Sequence, residues 1–304
     1  MLIATHAMNA TLPVTFIPAA WEQVVDSTFG SSNINKVTSN GEGQFVAVGS
    51  SGKIAISSDG LSWVAQSSGF SGSNIFTVAY GDGIYIIGGS SGKLATSVDG
   101  ITWTLQASSF GASTILSIVY APSASLWIAA GGSGKLATSV DGITWIQRTS
   151  SFGTTFINGL YANASTIIAV GYDGKLATST NGVAWTQRVS SFIASIVYDV
   201  TSNPAGTKYV AVGDSGKIAT SSNGTTWTQI FPSSSFGTSG IRAVSAKSEY
   251  YLAGSSAGKI ATSVDPIIWT QRVSSFDTSN INGLYAADTF AIAVGNSGKI
   301  AYSG

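Results

Sequence analysis

Hydrophobic and polar positions alternate in short runs along this chain, and the unit from Ile157 to Arg188 shows the pattern plainly. I-N-G-L-Y-A alternates, and after the tip A-N-A-S comes the β-branched run T-I-I-A-V-G. Y-D-G then turns into K-L-A-T-S, and T-N-G-V-A turns into W-T-Q-R. Short runs bounded by Gly, Asn, Asp and Ser predict four antiparallel strands joined by hairpins. No stretch keeps a helical period long enough to compete.

The unit recurs. Its closing Trp falls at Trp63, Trp103, Trp145, Trp185, Trp227 and Trp269, spaced by 40 or 42 residues. A repeated four-stranded unit of about 40 residues predicts a β-propeller with one blade per unit. A seventh unit starts at Ile281 and lacks its W-x-Q strand, while an orphan W-E-Q-V-V-D begins at Trp21. The expected fold is therefore all-β. It is a seven-bladed propeller over residues 21–304, with four antiparallel strands per blade, whose last blade is closed by the N-terminal strand near Trp21. Such closure hides the edges an open sheet exposes. Residues 1–20 form an arm outside the repeat, with His6, both Met residues and apolar Leu2, Ile3, Val14, Phe16 and Ile17.

Composition narrows function by exclusion. Charged residues make up 9% of the chain, against roughly 25% in an average soluble protein. Gly and Ala in the middle strands serve close packing between blades. A formal net charge of zero favours neither nucleic acid nor an anionic membrane. No apolar run approaches the ~20 residues of a spanning helix, so no membrane insertion is expected. The absence of Cys excludes disulfides, a thiolate nucleophile and Cys-based zinc sites. The first ten residues lack the basic start and apolar core of an export signal.

One corner recurs as S-S-D-G-L-S-W (Ser57 to Trp63), S-V-D-G-I-T-W, S-T-N-G-V-A-W, S-S-N-G-T-T-W and S-V-D-P-I-I-W. Asp or Asn before Gly suits a turn in which the side-chain oxygen accepts from the following N–H groups. Asn181 and Asn223 keep the acceptor without the charge, which argues against metal binding there. Pro266 replaces the Gly at one corner, so that turn is expected to differ. The motif resembles the Asp-box, or BNR, repeat of sialidases and photosystem-assembly propellers, one residue shorter than the usual S-x-D-x-G-x-x-W. The longer phrase A-V-G-x-x-G-K-I-A-T-S-x-D-G-x-x-W is similar to propellers encoded in tailed-phage genomes. The resemblance implies the fold, with Asp boxes as structural turns lying away from the active face.

Candidate chemistry is sparse. Lys53, Lys93, Lys135, Lys175, Lys217, Lys259 and Lys299 are seven of the ten lysines, and the blade topology puts them on one face with the S-S-F links. They read either as a ring that attracts acidic sugars or phosphorylated surface polysaccharide, or as stems over blade edges. In the second reading each pairs with a carbonyl or with a carboxylate such as Asp173, Asp214 or Asp277. Trp127, the Trp in S-L-W-I-A-A, is a candidate ring for stacking on a sugar. Asn203, Pro204 and Lys208 lengthen one corner, and Glu249, Tyr250 and Tyr251 mark another.

Catalytic sets fail by count. A Ser-His-Asp triad has only His6 to use, and a His-based metal site is ruled out in the same way. A sialidase needs converging arginines, and Arg242 alone stands as a possible inner-strand Arg. The G-S-S-G-K turns precede no helix, so they form no phosphate cradle. With these sets absent, the resemblance to phage propellers implies a non-enzymatic tailed-phage virion component. It would be a tail or appendage propeller acting as a structural and host-surface or glycan-binding module, with host-surface polysaccharide as the expected ligand. Residues 1–20 would dock it to other virion subunits, and no cofactor, metal or nucleic acid is expected. The alternatives are a free extracellular lectin with sugar sites between blades and, remotely, a sialidase-like glycosidase.

Overall fold

The computed structural model describes residues 16–230, 235–248 and 250–304, which form seven four-stranded antiparallel sheets. The inner strands of blades 1 to 7 are Ile34–Ser39, Ile75–Gly81, Ile115–Ala121, Ile157–Ala162, Val197–Ser202, Ile241–Lys247 and Ile281–Ala286. Each inner strand packs beside the next around the ring, and the seventh returns to the first. Blade 4 continues outward through Ile167–Gly171, Leu176–Ser179 and Thr186–Arg188. Blade 7 takes its fourth strand from the other end of the chain: Glu22 pairs with Tyr302 and Gln23 with Ala301. Among the described residues no helix is long and apolar enough to cross a membrane.

Apolar side chains fill the gaps between blades. Trp63 packs with its own blade and with Ile292, Val294 and Ile300 of blade 7. Trp145 packs against Ile86 and Leu94 of blade 2. The Phe of every S-S-F link (Phe29, Phe70, Phe110, Phe152, Phe192, Phe236 and Phe276) is fully buried. Trp127 is fully buried as well, among Ile86, Ile118 and Trp145. Its position opposite Ser139 is the one Phe45, Tyr85 and Tyr209 hold opposite Ser57, Ser97 and Ser221. Trp127 is thus an ordinary core residue, which corrects its reading as a sugar platform: no ring face is open to a ligand.

The corners are built by side-chain acceptors. Asp59 Oδ1 accepts from the N–H groups of Leu61 and Ser62 at 2.7 Å each, and Trp63 Nε1 donates to the Gly60 carbonyl at 3.1 Å. Asn181 and Asn223 make the same bonds at 2.9–3.0 Å. The Pro266 corner departs less than its sequence suggests. Asp265 still accepts from Ile267 and Ile268, and Trp269 Nε1 still reaches the Pro266 carbonyl. What is lost is the corner N–H, which in the five other corners donates to the preceding Ser Oγ at 2.8–2.9 Å. Pro266 also sits at φ +27°, far from the −65° its ring prefers.

These corners couple the fold to acid. The N–H groups of Ser62 and Leu61 hold the Asp59 carboxyl down at about 2. The equivalent N–H pairs also lower Asp99, Asp141 and Asp265. A carboxyl lowered in the folded state stabilises it above the unfolded pKa of about 3.9, and that stability is lost as pH falls. The expected window is from about pH 4 to about pH 2. Replacing Asp59, Asp99 and Asp141 together by Asn keeps the turns, as Asn181 does, and should flatten the fall in melting temperature across that window. Thermal melts at stepped pH check this; an unchanged acid limb contradicts it.

Candidate functional site

Every inner strand carries a register shift directly after its first residue, so its second residue is left out of the ladder. Such a bulge re-aims the side chain it frees. The seven freed residues are Asn35, Phe76, Leu116, Asn158, Tyr198, Arg242 and Asn282, and all seven line one cavity of about 340 Å³ at the mouth of the central channel. Phe156 and Tyr172 of blade 4 complete its wall. In three blades the polar third residue of an inner strand accepts a backbone N–H from the inner strand of the next blade. Thr77 Oγ1 takes Ile118 N–H, Ser117 Oγ takes Leu160 N–H and Asp199 Oδ2 takes Val244 N–H, at 3.1–3.2 Å.

One residue deeper, Lys36 of blade 1 reaches across to blade 5, placing Nζ 3.9 Å from Asp199 Oδ2. At the rim, Arg242 Cζ lies 4.6 Å from the centre of the Tyr198 ring. Tyr198 in turn donates its hydroxyl to Asp214 Oδ1 at 2.7 Å. Burial, with the bond to Asp214, pushes the Tyr198 hydroxyl up to about 12, against the opposing pull of Arg242. Arg242 Nε is buried and has no hydrogen-bond partner among the described residues. The three asparagines donate Nδ2–H to the first inner-strand carbonyl of the next blade: Asn35 to Ile75 at 2.7 Å, Asn158 to Val197 at 3.0 Å and Asn282 to Ile34 at 2.9 Å. Phe156 and Tyr172 are 43% and 39% exposed, with ring centres 5.3 Å apart.

The seven repeat lysines stand on the same face, outside this mouth. Lys53, Lys93, Lys135 and Lys175 donate to the carbonyls of Phe29, Phe70, Phe110 and Phe152 at 2.6–2.8 Å. Lys217, Lys259 and Lys299 reach Phe192, Phe236 and Phe276 at 3.1–3.5 Å, with Ser195 and Asp277 as added partners. Each lysine thus caps the link into its own blade. The remaining arginines, Arg148, Arg188 and Arg272, lie on outer strands and bond Thr138, Thr178 and Thr262. Arg242 is therefore the Arg the fold brings to the axis. His6 and Glu249 lie outside the described residues. Among the described residues no group of His, Asp and Glu is placed to hold a metal.

The closed ring of seven four-stranded blades makes the chain a β-propeller. Residues 66–196 match the DUF6242 beta propeller domain. Among solved structures, YCF48 from Cyanidioschyzon merolae superposes with a TM-score of 0.74 at 17% identity, over 94% of this chain and 99% of that one. YCF48 bound to D1 peptide gives 0.74 at 16% identity, over 95% and 96% of the two chains. The WD40 beta propeller domain of Doa1 gives 0.75 at 9%, over 94% and 96%. At these identities the likeness is one of fold. None of the curated proteins matches the chain.

Proposed function

We propose that this chain is a non-enzymatic recognition module of a tailed-phage virion, an appendage propeller that seats a host-surface glycan at the mouth of its channel. The observation that carries the reading is the break in symmetry at the bulge residues. Corner, lysine and packing positions repeat from blade to blade, while the seven side chains at the axis include Asn, Phe, Leu, Tyr and Arg. A scaffold needs uniform packing; a ligand site needs convergent, differing groups. The virion placement draws on the similarity of the repeated phrase to phage propellers.

The opposite face suits attachment. The corners there expose Leu61, Val98, Ile101, Val140, Ile143, Val264 and Ile267. The chain also enters the ring on that side: Phe16 packs edge-on against Tyr250, and Ala20 pairs with Val273. An arm of residues 1–20 leaving there would dock the module to other virion subunits while the mouth faces outward. The alternative of a free extracellular lectin draws on two grooves between blades, about 370 Å³ beside Lys208 and Pro266 and about 270 Å³ beside Ile84 and Ile143.

A bacterial surface-glycan array tests the ligand reading. The intact protein should bind a subset of glycans, and Leu116→Trp, which fills the mouth, should weaken that binding at least tenfold with an unchanged melting temperature. Undiminished binding by Leu116→Trp moves the site elsewhere, and binding to nothing on the array removes the glycan reading. For attachment, a chain lacking residues 1–15 should still bind glycan yet fail to enter phage particles; normal incorporation rejects the arm's role.

A further inference from the structure

We infer that the mouth selects a sugar carrying one carboxylate, with the guanidinium of Arg242 as its anchor; this rests on the glycan reading above. The first ground is the unpaired state of Arg242. A buried N–H without an acceptor is rare in folded proteins and calls for an explanation, and the Arg242 Nε has none among the described residues. Asp214, beside Tyr198, accepts from the Tyr198 hydroxyl and makes no ion pair with Arg242 among the described residues. Arg242 Cζ lies over the Tyr198 ring at 4.6 Å from its centre, a cation–π contact that helps to position the guanidinium. Nε itself is closed to solvent, so what Arg242 offers a ligand at the cavity wall is its Nη donors, whose planar fork matches the two coplanar oxygens of a carboxylate.

The second ground is the orientation of the asparagines. Each commits its NH₂ group to a backbone carbonyl of the next blade, and Asn282 also donates to Asn296 Oδ1 at 2.9 Å. An amide whose nitrogen is held in this way presents its oxygen as an acceptor. Three acceptors around one cationic donor reward a ligand rich in hydroxyl donors with a single anionic group. A phosphate monoester carries about −1.5 to −2 charge and three acceptor oxygens, more than a single guanidinium fork among three amide oxygens matches. The exposed rings of Phe156 and Tyr172 offer an apolar surface to a pyranose face. At about 340 Å³, the mouth is at the small end of ligand pockets, with room for one or two sugar residues. The chemistry that fits is an acidic sugar of the uronate or sialate kind within a surface polysaccharide.

The test is calorimetric titration of the full chain with matched oligosaccharides. The set is neutral galactosides, galacturonates, glucuronates and sialosides, the methyl esters of the three acids, a phosphorylated galactoside, and a peptide with a free C-terminus. At least one acid should bind at least tenfold more tightly than its own ester and than the neutral sugar. Arg242→Gln should abolish that difference, and Arg242→Lys should weaken the acid while leaving the ester unchanged. The acid–ester comparison needs no variant, so it stands even where a variant fails to fold. Equal binding of acids, esters and neutral sugars overturns the carboxylate inference and leaves the glycan reading standing. Tighter binding of the phosphorylated galactoside overturns it as well. Binding of the peptide alone, or of nothing in the set, overturns both.

Discussion

A chain that lacks residues 1–26 is expected to lose its cooperative monomeric fold. Those residues carry the fourth strand of blade 7: the pairs of Glu22 with Tyr302 and Gln23 with Ala301, and the bond from Val24 N–H to the Ile300 carbonyl at 2.8 Å. They also carry Trp21 and Val24, both buried. Removing a Trp side chain from a core costs about 3–5 kcal/mol, and a buried Val adds about 1.5–3 kcal/mol. Against a total stability of about 5–15 kcal/mol the loss is decisive. The strand Ile300–Ser303 then becomes an open edge, free to pair with another chain. Size-exclusion chromatography should show dimers or aggregates and the melt should broaden, and a peptide of residues 16–27 should restore the monomer. A truncated chain that stays monomeric with the intact melting temperature contradicts this. Trp21 also differs from the other blade-closing tryptophans. The indole of each of the other six donates to its own corner carbonyl, as Trp63 does to Gly60. Among the described residues Trp21 Nε1 is buried without a partner, and none of them forms a corner ahead of it.

That closure was legible in the sequence because repetition exposes it: six whole copies of a phrase define what the seventh lacks. The same repetition misdirects the search for a site. Lys53 and its six counterparts draw attention by recurring, yet a group needed in every blade answers a need common to every blade, here the carbonyl of a buried Phe. Trp127 draws attention by standing outside the corner motif, yet strand register places it where four other blades keep Phe or Tyr. The bulge residues belong to no motif, and they lie about 40 positions apart and differ from blade to blade. Only the ladder shift after Ile34, Ile75 and their equivalents brings them to the axis. A signal was present all the same. Aligned on the first residue of each inner strand, the next position is the one where Asn, Phe, Leu, Tyr and Arg replace one another. Arg242 stood out as an inner-strand Arg, but a count of arginines for a sialidase gave no reason to seek its neighbours. The turn of blade 6 is a further mark: Ser255 stands where the six other blades have Gly, at the end of the strand next to Arg242's own.

Gly171→Ala is expected to cost about 3 kcal/mol and to weaken ligand binding as well. In six blades the glycine before the turn (Gly49, Gly89, Gly131, Gly171, Gly213 and Gly295) lies so close to the residue preceding the inner strand that a Cβ would stand 2.0–2.2 Å from its carbonyl oxygen. Their backbones are extended, so close approach, and not an unusual φ, is what excludes a side chain. The approach has a purpose. The next N–H donates to that same carbonyl, in blade 4 from Tyr172 to Phe156 at 3.1 Å. Ala at 171 pushes this bond apart and moves the two residues that form the aromatic wall of the mouth. A urea midpoint should report the loss of stability, and titration with the ligand of the intact protein should report the weakened site. In blade 6, Ser256 N–H still reaches the Gly240 carbonyl at 2.9 Å, while Ser255 Oγ accepts from Ala257 and Lys259 within the turn. Ser255→Gly should therefore change stability by less than about 1 kcal/mol. If Gly171→Ala melts with the parent, the carbonyl contact does not hold the turn. If it destabilises the protein and leaves binding untouched, Phe156 and Tyr172 are no part of the site.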